Sequence, residues 1–396
     1  MFKTKNLLSM ILATVMVFSM SATAMAAPIE SYDLRVASEA TITNVDNLAS
    51  IHLSSMKSQF ASNPSLIGFS SSELSDSSLG NAFTLYVFNE NGQVISDDTQ
   101  VYPVIYANQI VGILEVYCDS ITSEYAYTFG KSYAEKLNNL RYVSNIDTSN
   151  NLIIGRIANK LFITDSNEVD IILDKTVDST ATISIANLKN ICTNLHQNVS
   201  SDYTTISESA IHSTTLQSKI SARALPNPLP VPHVAQTGVC GVAAWAAVLN
   251  YRFNEDYNNA TLAEAMAADY TNGTNGIPHM GDYRDYANDI HDAGCTLAYS
   301  PLSFTKMKSS INGGRPIMGS WYSESGSNKS WHSGSGSDKS WHAIIITGYV
   351  ENSSSNYTYV VKNPWHKDTQ TITVTSSNSV VYPDSGYTWK LSQCVY

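Results

Sequence analysis

The first half of the chain alternates short apolar runs with polar stretches, a pattern typical of β-strands joined by turns. The runs are rich in β-branched and aromatic residues and are bounded by Asn, Asp, Gly and Ser, which favour turns. Ala107-Asn108 and Ala158-Asn159 each separate two such runs, so each predicts a hairpin. A short helix is predicted over 132–140. The main predicted strands cover residues 82–88, 101–106, 110–117, 152–157, 160–164 and 169–173.

The second half begins with helical spacing and ends with strand patterns. A helix is predicted to begin at Cys240, because small and apolar residues follow it at helical spacing. Helices followed by strands along the chain predict an α+β domain. Two further helices are predicted over 261–268 and 302–308, and strands over 343–347, 357–361, 371–375 and 380–382.

A proline-rich segment separates these halves. Four prolines lie between residues 226 and 232, where neither a helix nor a central strand can continue. We expect this hinge to be exposed, with Lys219 and Arg223 as plausible cleavage points for a protease. The predicted domains are a mostly antiparallel β domain over 27–223 and an α+β domain over 224–396.

The first 26 residues have the pattern of a secretory signal peptide. Lys3 and Lys5 precede a short apolar run, and small residues follow up to Ala26, where cleavage is expected. The alternative is a membrane anchor, but the run is shorter than the ~20 apolar residues that span a bilayer. The sequence therefore predicts an exported chain with no membrane span in its mature form.

Composition limits the classes of partner. The net charge of -11 argues against nucleic acid, which calls for a basic face. The five cysteines form no cluster with zinc spacing, so neither a metal nor another cofactor is expected. An odd count leaves one thiol unpaired. One possible pairing joins Cys118 to Cys192 and Cys295 to Cys394, and the alternative is that all are reduced.

Cys240 is the first candidate for chemistry, because a thiol at a helix start is exposed to the free N–H groups that favour a thiolate. His342 precedes an apolar strand and could act as its base, while Asn363 follows a later strand and could orient the imidazole. Taken singly, Cys240 could be a small buried residue and Asn363 a turn residue before proline.

Two further positions bear on this site. Gln236 lies in a loop before Cys240 and could donate to an oxyanion, or be an exposed loop residue. A tandem repeat ends in Trp-His twice, at His332 and at His342. We select His342, because it runs directly into a strand, whereas His332 is followed by more Ser and Gly.

The segments around Gln236 and Cys240, Trp341-His342-Ala343 and Asn363-Pro364-Trp365 resemble those of papain-like cysteine peptidases, in the bacterial C39-like and staphopain-like branch. The resemblance implies Cys240 as nucleophile, His342 as base, Asn363 as its orienting partner and Gln236 as oxyanion donor. It also implies a helical lobe packed on an antiparallel, β-barrel-like sheet. The gap from Gln236 to Cys240 is shorter than in papain, and the Ser/Gly repeat is not part of the family pattern.

Exported members of this group often carry an inhibitory amino-terminal propeptide, which the resemblance implies for residues 27–223. The predicted function is that of a secreted cysteine endopeptidase made as a zymogen, with a protein or peptide as substrate and its own first half as inhibitor. One alternative is a cell-wall peptide hydrolase or amidase with the same triad, although no basic wall-binding repeat is visible. Another is an inactive binding protein with this fold.

Overall fold

One large β-sheet runs through the part of the chain that the computed structural model describes. The chain divides into two compact units, Met1–Tyr32 and Asp33–Tyr396, and all described residues belong to the second. The signal peptide, the Ala158-Asn159 turn and the predicted hinge as far as residue 227 lie outside the described residues. The hinge residues 228–232 are described, and against the expected exposure Val231 is buried. The described residues are 34–38, 45–89, 91–118, 125–143, 146–157, 160–165, 167–174, 184–195, 199, 202–206, 228–272, 277–323, 340–353, 356–367, 369–374, 381–384 and 387–396.

The first half supplies helices as well as strands. Its described helices are α1 (Val45–Phe60), α2 (Ser71–Asp76), α3 (Ala134–Val143) and α4 (Ile185–Leu195), with a 3₁₀ turn at Pro64–Ile67. Its described strands are β1 (Arg35–Ala37), β2 (Ser78–Leu79), β3 (Phe83–Phe88), β4 (Val94–Tyr106), β5 (Gln109–Cys118), β6 (Tyr125–Gly130), β7 (Ile153–Ile157), β8 (Lys160–Thr164), β9 (Val169–Asp174) and β10 (Tyr203–Thr205).

The second half has its helices before its long strands, as predicted, although the two-residue strand β11 precedes the last helix. Its described helices are α5 (Cys240–Phe253), α6 (Asn259–Met266), α7 (Met280–His291) and α8 (Phe304–Asn312). Its described strands are β11 (Leu297–Ala298), β12 (Ile317–Ser323), β13 (Ser340–Ser353), β14 (Asn356–Lys362), β15 (Thr369–Val374), β16 (Val381–Asp384) and β17 (Tyr387–Val395).

The main sheet has the strand order β11-β17-β12-β13-β14-β15-β6-β5-β4-β3-β7-β8-β9, with β16 beside β17 and β2 beside β4. It is mixed, because β3 and β7 are parallel whereas the other described pairs in it are antiparallel. This mixture of helices and strands is compatible with the predicted α+β class. The separate arrangement of two papain-like lobes stays a prediction.

Local sequence explains the elements that matter for the site. In α5 every residue from Cys240 to Leu249 is buried, which fits the small and apolar side chains there and makes α5 a central helix. It ends where Asn254 adopts a left-handed conformation with φ 56°, a common helix stop. The predicted Ala107-Asn108 hairpin is confirmed, with φ of 50° and 60° at the two turn residues.

The two halves share the sheet and a hydrophobic core. β6 of the first half pairs with β15 of the second, with Thr371 opposite Phe129. Val350 and Val360 are buried in a cluster whose other buried members come from the first half. The predicted boundary at residue 224 stays a prediction. The halves are joined by strand pairing and by a shared hydrophobic cluster.

The disulfide pairing considered from the sequence is not formed. Cys192, Cys240, Cys295 and Cys394 are free thiols, and the side chain of Cys118 lies outside the described part. Cys295 packs against one hydrophobic cluster, whereas Cys394 is buried in another, so the proposed partners in the second half belong to different parts of the core. The alternative that the cysteines are reduced holds for these four.

Within the described ranges, no helix has both the length and the apolar character needed to cross a membrane.

Cutting the chain at a protease site inserted between residues 223 and 224 is expected to leave the halves bound to each other. The β6–β15 pairing and the core around Val360 both survive such a cut, and buried apolar area is the main source of association free energy. Gel filtration followed by denaturing electrophoresis checks this, and both fragments should elute in one peak. Separate elution under native conditions would contradict the shared core.

Candidate active site

Cys240 is the first residue of α5, where the helix has no side-chain cap. The N-cap residue is Val239, whose side chain accepts no hydrogen bond, so the first N–H groups of the helix remain available. The backbone N–H groups of Cys240 and Gly241 are directed to the Cys240 sulfur, and so is the N–H of Ala343. The sulfur thus lies where backbone dipoles favour negative charge.

Burial has the opposite effect on the pKa of the thiol, and the effect of burial is the larger of the two. Cys240 is only 8% exposed, and its loss of hydration raises the pKa of the thiol to about 11, although the three N–H groups act to lower it. Without a further positive charge, only about one thiol in ten thousand would be ionised at pH 7. The backbone alone therefore does not make this thiol a nucleophile, and a charged partner is required.

The loop before Cys240 is held in place by two contacts. Asn259 Nδ2 donates to the Val239 carbonyl oxygen at 2.9 Å, which fixes the entry to α5. The Gln236 N–H donates to the Pro364 carbonyl oxygen at 3.3 Å, which ties the loop to the segment that follows Asn363. These contacts hold the thiol beside the end of β14.

His342 lies near the start of β13 and faces the end of β14. Its Nε2 is 2.8 Å from Oδ1 of Asn363. The two strands are antiparallel neighbours, with Ile345 opposite Lys362, so the first residues of β13 come close to the residue after β14. Both side chains are buried, at 1% exposed for His342 and 0% for Asn363. The predicted pairing of these two residues in space is what the structure shows.

Two tryptophans enclose the imidazole. The Trp365 ring is stacked on that of His342, with centroids 3.4 Å apart and planes within 8°. Trp389 lies at a centroid distance of 5.4 Å on a tilted plane. The rings exclude water from the His342–Asn363 contact, and a hydrogen bond in such a low-dielectric setting is stronger than one in water.

Behind Asn363 lies a buried acidic group that the sequence analysis missed. Asn363 Nδ2 donates to Oδ2 of Asp384 at 3.0 Å, and the other carboxylate oxygen is 3.0 Å from Nε2 of His366. Asp384 belongs to β16, whose position beside Asn363 depends on strand pairing that no sequence pattern reveals. His366 follows Asn363 by three residues, and no motif around it indicated a role in the site.

A cavity of about 270 Å³ opens beside the thiol and the imidazole. Cys240 and His342 both contribute to its wall, and the N–H of the residue after His342 reaches the Cys240 sulfur. The structure therefore places the predicted nucleophile and base on one cavity. The wall is mostly apolar, with polar groups at a few points, and consists of Val239, Cys240, Gly241, Ile277, Pro278, His279, Met280, Tyr283, Met318, Ser320, Trp341, His342, Ala343 and Gln393.

Gln236 is not among the described residues that line this cavity. Its Nε2 donates to the Gly238 carbonyl oxygen at 2.9 Å, within its own loop. One N–H of the amide is therefore engaged and one remains. The predicted oxyanion role of Gln236 stays a prediction.

Tyr283 of α7 is a cavity residue that the sequence analysis did not identify. Its hydroxyl is buried and has no hydrogen-bond partner among the described residues. A Cβ on Gly241 would lie 2.4 Å from this oxygen, so glycine at 241 is what admits the tyrosine beside the thiol. A buried unpaired hydroxyl costs free energy, which a bound group with a suitable polar atom could recover.

His332, the alternative histidine, lies outside the described residues.

In a comparison with family models, residues 228–388 match the model of the Peptidase_C39 like family. No curated protein matches the chain.

The substitution His342→Ala is expected to leave Cys240 as an isolated buried thiol with a pKa near the value of about 11 that burial produces. Alkylation by iodoacetamide needs the thiolate, so its rate should fall sharply at pH 7 and rise steadily up to pH 10. Mass spectrometry of the labelled peptides measures this rate. The buried thiols of Cys192 and Cys394, whose pKa values burial also raises, are internal controls. Fast labelling of the variant at pH 7 would contradict the dependence of the thiol on His342.

Proposed function

Since residues 228–388 belong to the C39-like family of papain-like cysteine peptidases, we propose that the chain is a cysteine endopeptidase. Family membership indicates a cysteine peptidase, whose substrates are proteins or peptides. The observation that carries the finer proposal is the 2.8 Å contact of His342 Nε2 with Asn363 Oδ1, on a cavity that also contains Cys240.

The geometry assigns a separate task to each imidazole nitrogen. Nε2 faces a carbonyl oxygen, which only accepts, so Nε2 carries a proton. Nδ1 is then the nitrogen that exchanges a proton with the Cys240 thiol. Transfer of that proton gives a thiolate and an imidazolium, and this charge pair offsets the burial that otherwise holds the thiol neutral.

Hydrolysis then proceeds in two steps. The Cys240 thiolate attacks the peptide carbonyl carbon, and the imidazolium gives its proton to the leaving amine as the C–N bond breaks, which leaves a thioester. Water next attacks the thioester while His342 accepts its proton, and the acid is released with the thiol restored. In both steps Asn363 accepts from Nε2–H and keeps the ring in position.

The oxyanion of each tetrahedral intermediate needs donors near the sulfur. The backbone N–H of Cys240 at the start of α5 is one, and Gln236 is the side chain that the family resemblance supplies. The remaining N–H of the Gln236 amide can serve only if the loop turns it toward the cavity. We add Tyr283 as a third donor, because this residue lines the cavity and its buried hydroxyl lies beside Gly241.

We propose that the chain is exported and made as a precursor. The support comes from the sequence, in the signal peptide over residues 1–26 and the proline-rich hinge with Lys219 and Arg223 before it. No described residue of the first half lines the cavity. If the first half inhibits, it does so without its described residues covering the cavity wall.

The purified chain is expected to cleave casein, and Cys240→Ala should lower the rate at least about a thousandfold, as removal of a nucleophile does. The matched control is Cys295→Ala, which removes a half-buried thiol that lies outside the cavity wall and should retain activity. Release of peptides is measured by fluorescence. Cleavage of purified peptidoglycan but not of casein would favour the wall hydrolase, and activity on neither would favour an inactive binding protein.

Cleavage at the hinge is expected to raise casein activity by about tenfold or more, a change of about 1.4 kcal/mol, if the first half inhibits. The double variant Lys219→Gln, Arg223→Gln should resist trypsin at the hinge and stay at the uncut rate. Activity and cleavage are followed in the same samples, by fluorescence and by intact mass. Equal activity before and after cleavage would show that the first half is not an inhibitor.

A further inference from the structure

The His342–Asn363 pair is the outer part of a longer buried chain of polar side chains. Beyond Asn363 the chain continues to Asp384 and then to His366, through contacts of 3.0 Å each. Asp384 is 1% exposed and His366 is 4% exposed. A carboxylate at this depth is costly unless it is paired, so its position behind Asn363 calls for an explanation.

The first consequence concerns the orientation of the Asn363 amide. Its Oδ1 accepts from the backbone N–H of Trp365 at 3.0 Å, and that group only donates. Its Nδ2 faces the carboxylate of Asp384, which only accepts when ionised. A rotated amide would oppose both partners, so Oδ1 is held toward His342 and the proton on Nε2 is fixed.

The second consequence concerns charge. A carboxylate that accepts from Nδ2 polarises the amide and makes Oδ1 a stronger acceptor, since hydrogen bonds in a chain strengthen one another. The His342 imidazolium gains most from this, because its charge lies at the other end of the chain. Hydrogen bonds to charged groups contribute more than neutral ones, so the effect favours the protonated imidazole over the neutral one.

The other groups around Asp384 come from the first half of the chain. Burial raises the pKa of Tyr133 well above its usual value, and the charges of Glu115 and Asp384 add to the shift, so these carboxylates lie close to the phenol. Thr128 of β6 donates to the carbonyl oxygen of Pro383, next to Asp384. The charged and titratable neighbours that these contacts identify among the described residues are His366, Tyr133 and Glu115, and His366 Nε2 lies 3.0 Å from the carboxylate.

We propose that Asp384, paired with His366, is a positioning residue that acts through Asn363 to stabilise the His342 imidazolium. The inference rests on the proposed function, because it concerns the thiolate–imidazolium pair of that site. Asp384 is not among the described residues that line the cavity. The contacts that carry the proposal are those of Asn363 with Asp384 and of Asp384 with His366.

The test uses Asp384→Asn in the full-length chain, a change that keeps the shape and one acceptor but removes the charge. Alkylation of Cys240 by iodoacetate is measured from pH 5 to pH 10. This anion reacts best when the imidazolium is present, so the rate falls as His342 loses its proton. With the charge removed, the alkaline fall is expected to move to lower pH by about one unit. Asp165→Asn is the control, because Asp165 is also buried and accepts backbone hydrogen bonds, but lies in the first half.

An alkaline fall at the wild-type pH in folded Asp384→Asn would overturn the proposal, and so would an equal shift in Asp165→Asn. Thermal unfolding establishes that each variant is folded. If Asp384→Asn does not fold, His366→Gln serves instead, since glutamine keeps an N–H donor for the carboxylate and leaves Asp384 in place. In His366→Gln the alkylation rate should fall at the same pH as in the wild type or at a higher pH. A fall at a lower pH would count against the proposal.

Casein cleavage measured on the same samples separates this inference from the proposed function. A shifted alkylation profile, with no casein cleavage by the wild type after its hinge has been cut, supports the role of Asp384 and contradicts the peptidase. Casein cleavage with an unshifted profile supports the peptidase and contradicts the role of Asp384.

Discussion

The proposed chemistry of this site depends on one buried hydrogen bond, from His342 to Asn363. Burial raises the pKa of the Cys240 thiol to about 11, so the backbone N–H groups at the start of α5 do not suffice to ionise it. A positive imidazole must supply the difference, and it must be fixed on one nitrogen so that the other can reach the sulfur. The contact of 2.8 Å with Asn363, under the stacked ring of Trp365, meets that requirement.

The proximity of His342 and Asn363 could be predicted from the sequence, because each residue lies at one end of a strand with a clear apolar pattern. His342 precedes a run of isoleucines and Asn363 follows the next strand, so antiparallel pairing of neighbouring strands brings them together. Asp384 could not be found in this way. It lies on the four-residue strand β16, which pairs with β17, and nothing in the local pattern tells which part of the core such a short strand will cover.

Other misses have different causes. The long helix α1 was not predicted, although its buried positions Val45, Ala49, Leu53, Met56 and Phe60 follow helical spacing. There the pattern was present and the many polar residues between the apolar ones obscured it. The orientation of Gln236 is a different case, because a loop amide can donate to its own backbone or to a substrate, and sequence gives no means to choose. In this structure the Gly238 carbonyl oxygen takes one of its hydrogens.

The described residues of the first half approach the site from the side of Asp384, and none of them lines the cavity. Thr128 and Tyr133 lie against the strand that carries Asp384, and β6 extends the sheet through β15. The described residues that line the cavity come from the second half, whereas those that bury the inner end of the polar chain come from both. On the proposed role of Asp384, the first half affects the imidazole through the burial of this carboxylate, because removing that half would hydrate the carboxylate and weaken its hold on Asn363. The proposal thus couples the two halves through the same hydrogen bonds that orient His342.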